Sequence, residues 1–162
     1  MRKKLLSLAA ALAMPVAVAA TPPELQEGLW QIHMQSTDSP GNKTSEITSK
    51  VCRDHAYDAS AVALAKNMKG CTTISESMDG AKYSIEMRCT VGGTVIDSKG
   101  TVTFQGNTST HGETHATYTP AFYGNTDETM IQDQKYLGSC PAGMQPGDRM
   151  SADGTIQHRA KH

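Results

Sequence analysis

Aromatic residues are scarce in this sequence. One Trp, two Phe and five Tyr make up 5% of the 162 residues, and hydrophobic residues together reach only 38%. A chain this poor in large apolar side chains can bury only a modest core, and small cores are usually reinforced by cross-links. The four Cys are therefore interpreted as two disulfides, which form in an oxidising compartment.

Several catalytic and binding motifs are also missing. The sequence contains no Cys-x-x-Cys, no glycine-rich phosphate loop and no Gly-x-Ser-x-Gly turn for a nucleophilic serine. Cysteines held in disulfides are not free to act as nucleophiles. We therefore expect no catalytic residue, no cofactor and no enzymatic activity; a hydrolase with an unrecognised site stays as an alternative.

The first 20 residues have the organisation of a secretory signal peptide. Three basic residues precede an apolar run from Leu5 to Val18, which Pro15 interrupts and which is too short to span a bilayer. Small residues follow at Ala19 and Ala20. We predict cleavage after one of these two, giving a periplasmic or secreted protein without a membrane anchor.

The mature chain is expected to be acidic. Loss of the three leader cations from 15 basic residues leaves about 12 against 16 acidic residues, a net charge of about −4 with His neutral. Nucleic acid is not an expected partner, because its phosphates attract Lys and Arg. The roughly 142 residues that remain are enough for one domain.

The stretch from Cys71 to Cys89 predicts a β-hairpin. An Asp-Gly pair at 79–80 supplies the turn, because Gly adopts positive φ angles without steric cost. A three-residue loop beginning at this pair places Met78 opposite Lys82 and, further along the ladder, the two Cys opposite each other. Opposed Cβ atoms are about 4.5 to 5.5 Å apart, near disulfide range.

Four Cys allow three pairings, and this register selects one of them. Cys71 is predicted to pair with Cys89, which leaves Cys52 to pair with Cys140. The second bridge joins residues far apart in sequence, so we expect it to tie the end of the domain to an early strand.

Alternating segments rich in Thr, Val and Ile recur about every ten residues. They cover 28–36, 44–52, 94–104, 108–119 and 126–138, with turn residues between them. Together with the central hairpin, this pattern predicts a mostly β fold, an antiparallel meander that closes into a barrel or sandwich.

One short helix is predicted between the first two Cys. Asp54 or Asp58 can cap it, the segment 61–68 contains good helix formers, and it ends at Lys69-Gly70. A helix of two to three turns is marginal alone, so we expect it to pack an apolar side chain against the sheet. The candidates for that packing are Val62, Leu64 and Met68.

The domain is expected to span residues 21–147. Past Pro146 the only large apolar residues are Met150 and Ile156. Burial of two side chains does not offset the ordering of fifteen residues at about 1 to 2 kcal/mol each. Residues 148–162 are therefore predicted to be a disordered tail that folding does not require.

Two His flank a Glu in the segment His111-Gly-Glu113-Thr-His115. On a helix this spacing could hold one metal, but the Thr-rich surroundings favour a strand, where the two rings are about 13 Å apart. Pairing with a His from a neighbouring strand is an alternative. We expect solvated polar residues on an exposed face, and no metal site.

The methionines give no cluster for a soft metal. No Met-x-Met or Met-x-x-Met occurs in the mature chain, so copper(I) binding is not expected. Methionine is a flexible core filler, which suits a chain short of aromatics.

Four residues are candidates for facing a ligand if the strands enclose a cavity. Tyr83, Ile85 and Met87 alternate on one face of the second hairpin strand. Trp30, on the first strand, could stack on a ligand, although we favour the view that it plugs one end of a barrel. A barrel interior could hold a small apolar molecule.

Several short motifs together resemble a family of secreted proteins from Gram-negative bacteria, catalogued as domain of unknown function 3617. They span about Pro22 to Asp148 and comprise Gly28-Leu29-Trp30, Val51-Cys52, the Cys71 to Cys89 hairpin, Gly106, and Leu137-Gly138-Ser139-Cys140-Pro141 with Gly143-Met144 and Pro146-Gly147. The chain departs from the family at Glu27, where Pro is usual. The resemblance implies an exported β-rich domain and brings no assigned activity or catalytic residue.

We therefore predict an exported, non-catalytic binding or envelope-associated module. Its partner would be a small apolar ligand or an envelope protein. The alternatives are a carrier with the ligand inside a β-barrel, and a hydrolase in which a His meets a carboxylate and a hydroxyl within about 3 Å.

Overall fold

The computed structural model describes residues 21–159. The predicted signal peptide, residues 1–20, and the last three residues of the predicted tail lie outside the described residues. No helix in 21–159 is long and apolar enough to cross a membrane.

Nine strands and one helix make up the described chain. In order they are β1 (Gly28–Ser39), β2 (Lys43–Arg53), α1 (His55–Lys66), β3 (Cys71–Asp79), β4 (Lys82–Val91), β5 (Thr94–Gln105), β6 (Ser109–Phe122), β7 (Asn125–Gly138), β8 (Arg149–Met150) and β9 (Ile156–Gln157). The strands form one sheet in the order β3-β4-β5-β6-β7-β1-β2-β8-β9, and every neighbouring pair is antiparallel.

The prediction of a mostly antiparallel β fold with one helix and two disulfides is confirmed. The sheet, however, is not closed into a barrel: β3 and β9 are its two edges, and no ladder joins them within residues 21–159. The last two strands are only two residues long, too short to complete a barrel wall. Instead, α1 follows β2 directly and leads to β3 at the far edge.

Side chains alternate between two faces of the sheet. We call the face that carries Trp30 and Tyr83 the inner face, and the opposite one, which carries Leu29 and Cys52, the outer face. Helix α1 lies over the inner face, next to strands β3 to β5. The C-terminal segment, residues 139–159, lies over the outer face, against β1 and β2.

The central hairpin has the predicted disulfide but a different register near the turn. Asp79 pairs with Lys82 across a two-residue loop, so Met78 lies opposite Tyr83 and not opposite Lys82. A β-bulge at Ile74 inserts one extra residue into β3 and brings Cys71 back opposite Cys89. The two deviations cancel at the Cys pair.

The disulfides join Cys71 to Cys89 and Cys52 to Cys140, which is the predicted pairing. The first closes the hairpin at the sheet edge, over a sequence separation of 18. The second connects the end of β2 to the segment after β7, over a separation of 88.

Helix α1 begins earlier than expected and packs differently. Asp54 is its N-cap: one side-chain oxygen accepts from the Tyr57 backbone N–H, at 2.6 Å. No residue of the helix is buried. Val62, Leu64 and Met68, the expected packing residues, are 55%, 75% and 51% exposed, so that prediction is wrong. The side of the helix that faces the sheet lines an open cleft, and Leu64 is not part of that lining.

The C-terminal segment also differs from its prediction, because it contains two short strands, Arg149–Met150 and Ile156–Gln157, where a disordered tail was expected. Met150 pairs with Lys50 of β2, and β9 pairs with β8. Met150 and Ile156 pack against the cluster of Leu29, Cys52 and Met144. The described chain therefore stays in contact with the sheet beyond residue 147, where the domain was expected to end.

Polar contacts explain why two apolar residues are enough to hold this segment. The carboxylate of Asp148, a residue only 3% exposed, accepts from the backbone N–H groups of Gln145 and Arg159 and lies 2.9 Å from His158 Nδ1. The backbone N–H of Cys52 donates to Asp148 O at 3.0 Å. These bonds replace solvent around a buried acid, a contribution that a count of apolar area leaves out.

Candidate ligand-binding cleft

A cleft of about 850 Å³ lies between α1 and the inner face of the sheet. One wall is the helix, the opposite wall comes from β3, β4 and β5, and the segment 22–25 borders it at one side. Binding sites for small molecules usually have volumes of about 300 to 1,000 Å³, so this space has the size of a ligand site.

The cleft is lined mostly by apolar side chains. The sheet contributes Tyr83, Val102 and Phe104, which stand on one face because β4 and β5 pair antiparallel with Tyr83 opposite Val102. The other walls contribute Pro22, Pro23, Leu25, Ala59, Val62 and Ala63. Such a surface favours an apolar ligand, since its burial releases water from both partners.

Among the four candidate ligand-facing residues, only Tyr83 lines the cleft. Ile85 and Met87 follow it on the same face of β4 and are half-buried, but they do not line the cleft. Trp30 is fully buried. Its Nε1–H donates to the carbonyl of Gln26 at 2.8 Å, and its ring meets that of Tyr136 edge to face.

Most of the lining carries no recognisable signal in the sequence. Val102 and Phe104 do carry a signal, because they alternate on one side of β5. Their partners Ala59 and Ala63 carry none: alanines at this spacing are typical of any helix.

Arg53, the last residue of β2, stands at the N-terminal end of α1 and connects three elements. Its guanidinium lies over the Trp30 ring, 4.9 Å from the centroid. Nε donates to Asp58 Oδ1 at 2.8 Å, and Nη1 donates to Gln134 Oε1 at 2.6 Å. The side chain is only 13% exposed, so its positive charge depends on the Asp58 carboxylate.

A second ion pair closes the other end of the helix. Lys66 Nζ lies 2.7 Å from Glu76 Oε1 on β3. The hydrogen bond from Lys66, followed by one from Tyr83, lowers the pKa of Glu76. Burial, followed by the neighbouring Glu76 carboxylate, raises the pKa of Tyr83 to about 12. The Tyr83 hydroxyl is protonated at neutral pH.

His55, the first residue of α1, fixes the border formed by the N-terminal segment. Its Nε2 lies 3.1 Å from the carbonyl oxygen of Leu25, and its backbone N–H donates to Glu27 Oε1 at 3.1 Å. These contacts hold Leu25 beside the helix, where it lines the cleft.

The His-Gly-Glu-Thr-His segment lies on β6, with both His on the outer face and away from the cleft. His111 Nδ1 is 2.7 Å from Asp133 Oδ1, and its Nε2 is 3.2 Å from Glu113 Oε1. Hydrogen bonds to Asp133 and then Glu113 raise the pKa of His111. Within residues 21–159, no group of three His, Cys, Asp or Glu has the geometry of a metal site.

Among the described residues, neither His33 nor His111 is part of a Ser- or Thr-His-Asp triad. His33 Nδ1 lies 3.0 Å from the Thr48 hydroxyl, on the exposed outer face. Asp133 stands opposite His33 in the ladder, but its hydrogen bond goes to His111. The hydroxyl and the carboxylate thus contact different histidines, and neither pair borders the cleft.

The comparisons with known proteins agree with the resemblance seen in the sequence. The profile of the family described as "Protein of unknown function (DUF3617)" matches residues 25–140, which is more than half of the chain. No curated protein matches the chain. The matched segment contains α1, both disulfides and every cleft residue except Pro22, Pro23 and Glu24. The chain therefore belongs to the DUF3617 family.

Proposed function

We propose that this protein is an exported, non-catalytic binding protein that holds a small, predominantly apolar ligand in the cleft between α1 and the inner face. The observation that carries the proposal is the cleft itself, about 850 Å³ with Tyr83, Val102, Phe104 and Val62 among its walls. A ligand there would gain about 0.8 kcal/mol for each CH₂ group removed from water.

The two disulfides support the export part of this proposal. Disulfides persist in oxidising compartments such as the periplasm or the extracellular space and are rare in the cytosol. The first 20 residues have the charged start, apolar stretch and small residues of a signal peptide.

The proposed binding site differs from a barrel interior, because the sheet is open. The sheet wall is built on paired strands and gives the ligand a fixed surface, whereas the helix wall buries none of its own residues. We infer that the ligand itself covers the apolar side chains that α1 turns toward the sheet.

Replacement of either of two alanines on α1 by phenylalanine tests the site. Ala63→Phe places a ring in the cleft, whereas Ala61→Phe places the same ring on the same helix outside the cleft lining. The probe is N-phenyl-1-naphthylamine, an uncharged dye that fluoresces in apolar surroundings. We expect saturable binding to the wild-type protein, at least about ten-fold weaker binding to Ala63→Phe, which is about 1.4 kcal/mol, and no change for Ala61→Phe.

The proposal fails if the dye does not bind saturably to the wild-type protein, or if the two variants lose the same affinity. Mass spectrometry of protein purified under native conditions provides a separate test. A copurified apolar molecule that is absent from the Ala63→Phe preparation would identify the ligand.

A further inference from the structure

Four of the five charged side chains that line the cleft form two pairs of opposite sign, and the fifth, Glu24, is exposed. Arg53 is 2.8 Å from Asp58, and Lys66 is 2.7 Å from Glu76. All four residues line the cleft. The two strong cations of the lining are therefore already matched by carboxylates before any ligand enters.

This pairing disfavours an anionic ligand. Arg53 and Asp58 are only 13% and 24% exposed, so water screens their charges less than it screens charges at the surface. A ligand carboxylate drawn to Arg53 would meet the Asp58 carboxylate beside it. It would also lose hydration without finding an uncompensated cation.

The lining still offers hydrogen bonds to a neutral polar group. The Arg53 guanidinium has five N–H donors. Nε donates one hydrogen bond to Asp58, and Nη1 donates one to Gln134. Within the described residues, Nη2 has no hydrogen-bond partner. The hydroxyl of Tyr83, which also lines the cleft, offers oxygen lone pairs as acceptors.

We infer that the cleft selects an uncharged amphiphile, an apolar chain with one neutral oxygen-bearing group such as a hydroxyl, over the carboxylate of the same chain. This inference rests on the proposed function and adds the chemical class of the ligand. Asp58 sets the selectivity by neutralising Arg53.

The test compares 1-decanol with decanoate at pH 7.5, each displacing N-phenyl-1-naphthylamine. Decanol is expected to bind the wild-type protein at least about ten-fold more tightly. Because the alcohol is also the more apolar molecule, the decisive variant is Asp58→Asn, which keeps an oxygen to accept from Arg53 Nε but removes the negative charge. It should tighten decanoate binding about ten-fold and change decanol binding by less than about two-fold.

Two further variants complete the experiment, one as a control and one as a second test. Asp79→Asn removes the same charge at the β3–β4 turn, outside the cleft lining, and should change neither ligand. Glu76→Gln frees Lys66, whose side chain is 44% exposed, and should favour decanoate in the same direction by a smaller factor. This variant also tests the inference if Asp58→Asn does not fold.

The outcomes separate the two proposals. The inference about ligand charge is overturned if decanoate binds the wild-type protein as tightly as decanol, or if Asp58→Asn and Glu76→Gln both leave the ratio of the two affinities unchanged. In either case the cleft remains a binding site. If neither molecule nor the dye binds, the proposed function is overturned together with the inference.

Discussion

Helix α1 and the C-terminal segment are attached to the sheet in opposite ways. The helix is rich in apolar residues yet buries none of them, and ion pairs at Arg53 and Lys66 hold its two ends. The C-terminal segment has few apolar residues, yet Met144, Gly147 and Asp148 are buried in it. Apolar content therefore does not decide which segment is fixed to the sheet. Hydrogen bonds, strand pairing and a disulfide fix the C-terminal segment, and an open cleft separates α1 from the sheet.

The largest effect that this contrast predicts is loss of the disulfide beside the C-terminal segment. Replacing Cys52 and Cys140 by Ala should lower the free energy of unfolding by more than about 4 kcal/mol, because the bridge closes a long loop. The matched control, Ala at Cys71 and Cys89, opens a loop with a separation of 18 and should cost roughly 3 kcal/mol. Urea unfolding measures both, and a larger loss in the control would contradict the account.

Removal of the last part of the C-terminal segment, from Asp148 onward, should have the next largest effect. A chain that ends at Gly147 loses β8, β9 and the Asp148 contacts, and should melt at least about 10 °C below the full chain. A chain that ends at Arg159 keeps all of them and should melt within about 2 °C of it. Equal melting temperatures for the two truncations would show that the segment does not hold the domain together.

The parts of the fold behind these two predictions differ in how far the sequence predicts them. The alternation of β4 and the Asp-Gly turn predicted the hairpin, but the Cys pairing was correct only because the shorter loop and the bulge at Ile74 cancel. The bulge was not visible in the sequence, since nothing in Thr-Thr-Ile-Ser singles out that residue. The role of Asp148 was hidden because its donors come from residues 145, 158 and 159, and no local pattern links them.

The cleft was hidden for a related reason. Its walls come from the N-terminal segment, α1 and three strands, and only the path of the helix across the sheet brings Ala63 to the same cleft as Val102. Periodicity predicts which side of an element is apolar, but not whether a neighbour covers it.

Asp148 should make the stability of the C-terminal segment sensitive to acid. Two backbone N–H donors and His158 lower the pKa of Asp148 from 3.8 to about 2. A depressed pKa contributes stability that is complete above the unfolded-state value and is lost as pH falls through the folded-state value. Asp148→Asn should therefore lower the melting temperature by several degrees at pH 6, and this difference should vanish as the pH falls from about 4 to 2. A difference that does not depend on pH would show that the charge is not involved.

The smallest effect is expected on the outer side of α1. Leu64 is 75% exposed, so Leu64→Ala should change the free energy of unfolding by no more than about 0.5 kcal/mol. The same substitution at Leu29, which is 9% exposed in the core cluster, should cost about 2 to 5 kcal/mol. Similar losses at the two leucines, measured by urea unfolding, would mean that α1 is packed after all.

The most direct test of the ligand cleft is an NMR titration of the full mature protein with N-phenyl-1-naphthylamine, followed by the backbone amide signals of each residue. We expect the largest saturable shifts on the inner side of α1 and on β4 and β5, around Ala63, Tyr83 and Val102. The amides around Asp148 and Met150 should stay unchanged. Shifts centred on the core cluster of Leu29, Cys52 and Met144, or no saturable shifts at all, would contradict this expectation.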